Sequence, residues 1–285
     1  MGTFRGHLFP GLGITLFGLW HIFNTIKAYK HKNSKRPTSK YTWFPITIHS
    51  LPWLKPLELH LLLAFTIITM SFTLHAYTIT LELDNLEHTA MLFFVTIYAA
   101  SGIIVDLHGF SDELSGLVGL LLASAFANEL FLVHCHSSDH VGLEGHYHWL
   151  LELILVVSLV TTINTSLSSS ENNYVSAIIR SMSIMAQGLW LMVMGFALYF
   201  PKFTPEGCYE GRTNQAVACG TEATEKRAAG MANLEFSLMV VGVNVLVLMV
   251  SLWEWRGHGC VGYKRIQRAV IDEREVHEET KQLQP

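Results

Sequence analysis

Apolar runs of about 20 residues recur along the chain, with polar residues gathered between them. A helix of about 20 residues rises about 30 Å, which matches the hydrocarbon core of a bilayer, so each run predicts a membrane-spanning helix. Backbone groups in lipid must be hydrogen-bonded within their own segment, so runs of this length predict a helical bundle and not a barrel. The seven predicted spans cover approximately residues 8–27, 57–78, 88–107, 115–135, 147–167, 178–200 and 231–253.

These spans predict an all-α, polytopic membrane protein, a seven-transmembrane-helix bundle within residues 1–260. The first run is preceded only by Arg5, is too long for a signal peptide and ends at Lys27, so we expect it to stay in the mature protein. Residues 261–285 alternate in charge sign, which is typical of a solvated helix or a disordered end. They are predicted to form a charged cytosolic tail.

The amino-acid composition also favours a membrane protein. Half of the 285 residues are hydrophobic and 15% are charged, whereas a soluble domain carries about 25% charged residues. The 19 lysines and arginines lie in linkers and the tail and not on a folded basic face, which argues against nucleic-acid binding. The predicted partners are therefore membrane lipids and no nucleic acid.

The distribution of these cations predicts an orientation. With the N-terminus exoplasmic and the C-terminus cytosolic, fourteen of them fall on the cytosolic side and five on the exoplasmic side, as the positive-inside rule requires. Cys208 and Cys219 then share the exoplasmic linker after the sixth span. In the oxidising secretory pathway they predict a disulfide, and the alternative is two free thiols.

Histidines are distributed unevenly. Of the 15 in the chain, five fall within residues 134–148, which we expect to form an exoplasmic hairpin between the fourth and fifth spans and which also hold Asp139 and Glu144. Imidazole and carboxylate groups are the usual ligands of zinc or iron, and further ligands normally come from other elements. The predicted transition-metal site draws on His88, His134, His136, His140, His148, His75 and Glu235.

Spacing limits which of these residues can act together. His134 and His136 lie about 200° apart around a helix, so both reach one ion only if the helix unwinds there. His148 and Glu152 are four residues apart and share a helix face, which predicts a pair. The alternative is that the histidines sense pH or hold helix ends together by hydrogen bonds.

Polar residues inside the spans carry further expectations. Carboxylates such as Glu129 are expected to face the bundle interior with a partner, because they are costly in lipid. Gln187 lies one turn from Ser183 and two from Arg180, which predicts a polar stripe directed into the bundle. His21 is more often a satisfied core group than a ligand. Trp43, in the first linker, is expected at headgroup depth.

Four segments carry a resemblance to a known family. They are residues 19–24 (LWHIFN), the pair Glu87 and His88, the histidine run 134–148, and residues 187–196 (QGLWLMVMGF). Together they resemble the plant branch of the transmembrane protein 45 family, also called domain of unknown function 716, over residues 1 to about 253. The resemblance implies a seven-helix protein of the endomembrane system, in the endoplasmic reticulum or Golgi, and leaves its activity open.

Two functions follow from these residues. The first is a metalloenzyme whose ion activates water or polarises an oxygen, with Glu144 or Asp139 as the catalytic base. Its substrate would be lipid-like or a terpenoid, changed by hydrolysis, isomerisation or oxidation at the exoplasmic face. The alternative is a non-enzymatic endomembrane protein, a pH-sensing scaffold or a metal or proton carrier, in which Glu129, Glu152 and Glu235 relay protons.

Overall fold

The structure is a computed structural model. It describes residues 3–30, 42–46, 52–109, 112–139, 142–167, 173–211 and 216–282. At residues 52, 112–113, 136–139 and 257–282 it describes the backbone alone.

Nearly all of the described chain is helical. One short antiparallel hairpin, β1 with β2, interrupts the helices, and 3-10 turns lie at Pro52–Leu54 and Pro201–Phe203. The elements in chain order are α1 (Phe4–Lys30), α2 (Leu57–Thr80), α3 (Leu83–His108), α4 (Asp112–Asp139), α5 (Leu143–Leu167), α6 (Tyr174–Tyr199), β1 (Cys208–Glu210), β2 (Val217–Cys219) and α7 (Glu222–Gln282).

Six helices in the described part of the chain, α2 to α7, are long and apolar enough to cross a membrane. They correspond to the second to seventh predicted spans, so the multi-pass, all-α prediction is confirmed at this level. Helix α1 coincides with the first predicted span and is about 40 Å long, but it is more polar and is not one of the six. The seventh span and the orientation of the termini stay predictions.

Helix α6 is the most enclosed helix. In packing order, α2, α3, α4, α5, α6 and α1 each contact the next. The apolar window of α6 is 67% buried, against 17% for α2 and for α3. Glycines bring α1 and α6 together, since a Cβ at Gly188 would overlap the backbone of Thr15 and one at Gly18 would overlap that of Met185. Polar groups on α6 are therefore shielded on several sides.

The helices alternate in direction and define two ends. At the linker end, where α1 finishes and α6 begins, the rings of Tyr29 and Tyr174 lie 4.8 Å apart. At the hairpin end, where α6 finishes, Phe4 of α1 contacts Phe196 at 5.2 Å. The two strands also lie at the hairpin end, beside α5. By the predicted orientation, the linker end is cytosolic and the hairpin end exoplasmic.

The hairpin carries the predicted disulfide. Cys208 and Cys219 are opposite one another in the register of β1 and β2, and their sulfurs are bonded at 2.05 Å. The disulfide prediction is confirmed, and the alternative of two free thiols does not hold.

Trp43 of the first linker packs against the helices. Its side chain is fully buried, with Nε1 directed at Asp106 Oδ1, 3.5 Å away. Tyr98 also contacts this linker by donating its hydroxyl to the carbonyl oxygen of Thr42. The depth of Trp43 relative to the headgroups stays a prediction.

The chain divides into two compact units, Met1–Asn244 and Val245–Pro285. The first contains α1 to α6, the hairpin and the beginning of α7. The second contains the rest of α7, whose backbone is helical as far as Gln282. The predicted boundary of the charged tail at residue 261 stays a prediction.

Candidate functional site

The histidine run 134–148 is mostly helical. Helix α4 continues to Asp139 and α5 begins at Leu143, so only three residues lie between the two helices. The structure contains the predicted hairpin between the fourth and fifth spans, but most of residues 134–148 lie in its two helices, because these extend beyond the apolar spans that marked them in the sequence. His134 and His136 occupy continuous helix, two residues apart, and the unwinding that would let both reach one ion does not occur.

Glu144, the predicted catalytic base, is an anchor for the hairpin. Its side chain is buried, and the whole residue is 2% exposed. Oε1 accepts a hydrogen bond from the Tyr199 hydroxyl at 3.2 Å, and Oε2 accepts one from the backbone N–H of Ala216 at 2.8 Å. One carboxylate therefore joins α5, α6 and the segment leading into β2.

Two further contacts join α5 to the beginning of α7. The Tyr147 hydroxyl donates to Glu235 Oε2 at 3.0 Å, and His146 Nε2 lies 2.8 Å from Asn233 Oδ1. Trp190 supports this junction, because its Nε1 donates to the Tyr147 carbonyl oxygen at 3.0 Å. Glu235, a predicted metal ligand, is thus engaged by a phenol.

Glu152 pairs across helices. Its Oε2 lies 3.1 Å from Nδ1 of His134 on α4, whereas the sequence predicted a pair with His148 on its own helix. His148 is buried, and its Nδ1 donates to the carbonyl oxygen of Glu144, one turn earlier. The two histidines are held by different partners.

The described residues do not assemble the predicted metal centre. Within the part of the chain that the structure describes, no group of three or more His, Cys, Asp or Glu side chains is placed to hold an ion. His88, for example, is exposed and donates Nδ1 to Asp84 O at 2.6 Å, and His75 lies near the end of α2. The side chains of His136, Asp139 and His140 lie outside the described residues, so their predicted roles stay predictions.

A carboxyl group lies within the span of α4. Glu129 is partly buried, and its Oε1 accepts a hydrogen bond from Gln187 Nε2 at 2.6 Å. Gln187 is 3% exposed and lies at the middle of α6, thirteen residues after the helix begins. Its Oε1 is buried with no hydrogen-bond partner among the described residues. Gln187 Oε1 can therefore accept a hydrogen bond from one further donor.

The predicted polar stripe on α6 is confirmed and has partners on neighbouring helices. One turn from Gln187, Ser183 Oγ accepts from Ser158 Oγ on α5 at 2.9 Å. Arg180 is fully buried and donates Nη1 to Thr165 Oγ1 at 2.6 Å. Hydroxyl, amide and guanidinium groups therefore follow α6 from the linker end to its middle.

A second buried carboxyl group lies at the linker end. Glu58, in the first turn of α2, accepts hydrogen bonds at Oε2 from Trp20 Nε1 at 2.8 Å and from the backbone N–H of Phe44 at 2.9 Å. Its Oε1 lies 2.5 Å from Nε2 of His21, which is 1% exposed. Glu58 therefore connects α1, the first linker and α2.

The sequence identified His21 as a core group but gave no partner for it. The available signal was Glu58 itself, a charged residue at the start of an apolar run, which is expensive in a membrane unless it is paired. Its pairing with a residue 37 positions earlier depends on how α1 and α2 pack, and spacing along one helix carries no information on that.

Part of the chain matches a known protein family. Residues 115–252 match the model of a family described as Family of unknown function (DUF716). This is the family that the sequence resemblance indicated, and the match covers α5, α6, the hairpin, most of α4 and the beginning of α7. The plant-type detail stays a prediction.

Proposed function

We propose from its geometry that this chain, whose residues 115–252 match the family of unknown function DUF716, is a non-enzymatic membrane protein that carries protons. Glu129 is the proton-binding group, and Gln187 holds it in place. The pair Glu129 and Gln187, placed inside two apolar spans, is the observation that carries this proposal.

A charged carboxylate in the hydrocarbon region costs several kcal/mol unless a cation or several donors compensate it. Among the described residues Glu129 has a neutral amide as its partner and no ion pair. A bound proton removes the charge, and the hydroxyl so created supplies a donor where Gln187 Oε1 lacks one. Ionisable groups placed in this way mark proton relays in membrane proteins.

Polar groups on both sides of Glu129 support a route. Toward the linker end, Ser183 and Arg180 continue the stripe on α6 with their hydroxyl partners on α5. Toward the hairpin end, the Tyr147 hydroxyl donates to Glu235. Hydroxyl groups both donate and accept, so they pass a proton along without carrying charge themselves. Ser and Thr residues also help helices pack in membranes, so hydroxyl groups alone do not indicate a proton route. The proposal therefore depends on the carboxyl group of Glu129.

The enzyme hypothesis has less support in the geometry. Both carboxylate oxygens of Glu144 hold structural donors, so the group is committed to the hairpin. A general base needs its proton acceptor within reach of a substrate. The described histidines form no metal-binding group that would activate water.

Proton flux into liposomes tests the proposal. Purified protein is reconstituted around a pH-sensitive dye, with potassium and valinomycin to balance charge, and the external pH is lowered. Glu129→Gln keeps an acceptor for Gln187 and removes the titratable group, so we expect the flux to fall about tenfold or more. Glu222→Gln is the matched control, because that side chain is exposed and pairs with Lys226.

The outcomes are distinct. Wild-type flux above that of empty liposomes, lost in Glu129→Gln and kept in Glu222→Gln, supports the proposal. Wild-type flux equal to that of empty liposomes, or unchanged flux in Glu129→Gln, overturns it.

A transition-metal site at the hairpin end is the second candidate. It is favoured by the contact between Glu152 and His134, because a carboxylate bonded to one ring nitrogen commonly orients a metal-ligating histidine. His136 and His140 would complete it. Elemental analysis of purified protein should then show zinc or iron that is lost in His134→Ala, and a metal-free wild type contradicts this site.

We further propose that the carrier works in an endomembrane compartment, in the endoplasmic reticulum or Golgi, with its hairpin end in the lumen. The excess of cations near the linker end and the disulfide at the hairpin end support this orientation.

A further inference from the structure

His21, at the linker end, has one ring nitrogen engaged and the other buried and without a partner. Nε2 lies 2.5 Å from Glu58 Oε1, while Nδ1 has no hydrogen-bond partner among the described residues. The ring lies among apolar neighbours, 4.4 Å from the ring of Phe17 and 5.2 Å from that of Phe44. None of these contacts is a hydrogen bond to Nδ1.

Glu58 determines which nitrogen carries hydrogen. Its oxygens already accept from Trp20 Nε1 and from the backbone N–H of Phe44, and hydrogen bonds of this kind stabilise a carboxylate. Against a carboxylate oxygen, Nε2 of His21 is the donor. In a neutral ring Nδ1 is then a bare lone pair. A carboxylate bonded to one imidazole nitrogen both orients the ring and stabilises the cation that forms when the other is protonated.

We propose that His21 is a second proton-binding site of the route, taking up a proton at Nδ1 while Nε2–H stays bonded to Glu58. The step is a proton transfer only: a hydronium ion gives its proton to the Nδ1 lone pair, one N–H bond forms as one O–H bond breaks, and the same proton is later returned to water. This inference rests on the proposed function, because it adds a proton-binding site at the linker end of the proposed proton route.

Charged groups lie close to this site. Glu58 on α2 contacts His21, and the guanidinium of Arg180 on α6 interacts electrostatically with Glu58. Tyr98 on α3 interacts electrostatically with both of them. A His21 ring protonated at Nδ1 would therefore lie against a buried carboxylate.

A hydroxyl contact between α1 and α6 lies close to His21. Thr25 follows His21 by one turn on α1, and its Oγ1 lies 3.2 Å from Ser181 Oγ on α6. Both hydroxyl groups are buried. Polar groups on α1 and α6 therefore meet one helix turn from His21.

Nitrogen NMR on the full chain tests the site directly. Protein with ¹⁵N-labelled histidine in lipid nanodiscs is followed across the pH range in which flux occurs, and the His21 signals are assigned by difference from His21→Gln. We expect Nε2 protonated and Nδ1 bare at high pH, with Nδ1 protonated on acidification. Glu58→Gln should move this transition to lower pH, because the carboxylate no longer stabilises the cation.

Proton flux separates the two proposals. His21→Gln should lower the flux about tenfold, as expected when a proton-transfer group is removed. His60→Gln is the control, since His60 lies at the same end but donates Nδ1 to the carbonyl oxygen of Pro56. Flux that is lost in Glu129→Gln but kept in His21→Gln overturns this inference alone. Flux that is kept in both overturns the proposed function as well.

The tautomer of His21 and its titration are read on the unchanged protein, and His21→Gln serves only to assign the signals. A His21 ring that carries hydrogen on Nδ1 at high pH, or that keeps one protonation state throughout the range of flux, overturns the inference.

Discussion

At the residue scale, individual buried carboxylates each join several elements of this protein. Glu144 joins three elements at the hairpin end, and Glu58 joins three at the linker end. Each accepts hydrogen bonds from groups that would otherwise be buried donors without a partner, so each removes several desolvation penalties at once. Glu129 differs, because its described partner is a single amide. Glu144 and Glu58 therefore each have several partners that fix them in place. Glu129 has one described donor, which is why we propose it as the proton-binding group.

Glu144→Gln tests the anchoring role. The amide keeps one acceptor and replaces the other with a donor, which faces either the Tyr199 hydroxyl or the Ala216 N–H. We expect a loss of about 1–3 kcal/mol in the stability of the hairpin contact, seen as faster proteolysis within residues 208–219. Glu210→Gln is the control, because that side chain is exposed on β1. Equal cleavage rates in the two variants would contradict the anchor.

At the scale of elements, the contact between α1 and α6 depends on the absence of side chains. The backbones of Gly188 and Gly11 approach so closely that a Cβ at Gly188 would lie 2.6 Å from the Gly11 carbonyl oxygen. Small residues allow such approach in membranes, where helices associate through packing and hydrogen bonds and not through the hydrophobic effect. Further along the same helix pair, Thr25 on α1 contacts Ser181 on α6.

Gly188→Ala should destabilise the bundle because the added methyl group meets backbone that cannot move aside. We expect a cost of about 1–3 kcal/mol, or more if α1 is displaced, measured as a lower thermal unfolding temperature in detergent. Gly230→Ala provides the comparison, since a Cβ there meets nothing within 4 Å. That variant should be neutral or slightly stabilising, as alanine favours helix. A Gly188→Ala protein as stable as wild type would show that α1 and α6 do not pack this closely.

On the scale of the whole molecule, the two ends differ in chemistry. The hairpin end carries the disulfide, and most cations of the first linker and the C-terminal tail lie on the opposite side by the predicted topology. Disulfides form in oxidising compartments, and cations stay on the cytosolic side. Both features favour the proposed luminal position of the hairpin end, although one depends on sulfur chemistry and the other on charge.

A tag placed after Pro285 tests this orientation. In sealed microsomes, whose cytosolic face is outward, added protease should remove the tag while the hairpin stays intact. Detergent should then expose the hairpin region to cleavage, which serves as the control for sealing. A tag that resists protease until detergent is added would reverse the orientation and remove the argument for a luminal hairpin.

The sequence predicted several features that the structure contains, and each depends on local rules. Lengths of apolar runs located the helices from α2 to α7, because the bilayer sets the length of a span. The three- and four-residue spacing of Arg180, Ser183 and Gln187 predicted a common face on α6. Compartment chemistry predicted the disulfide between Cys208 and Cys219. None of these needs knowledge of which helices are neighbours.

The pairings of the polar residues could not be obtained in the same way. Glu152 was expected to pair with His148 on its own helix, yet it contacts His134 on α4. The partners of His21 and Glu129 also come from other helices, 37 and 58 positions away in the chain. Periodicity states which face of a helix is polar, but not which neighbouring helix meets that face or at what height.

By itself, then, the sequence determined that this is a helical, multi-pass protein with a resemblance to DUF716, a disulfide-closed loop and polar groups directed inward. Only the tertiary structure decided that most of the histidine run is helical, that Glu144 holds the hairpin and that Glu129 faces a single amide. The physical reason is that spans are selected by transfer into lipid, which depends on composition. Hydrogen bonds between helices depend on distances of a few ångströms, and only packing sets those.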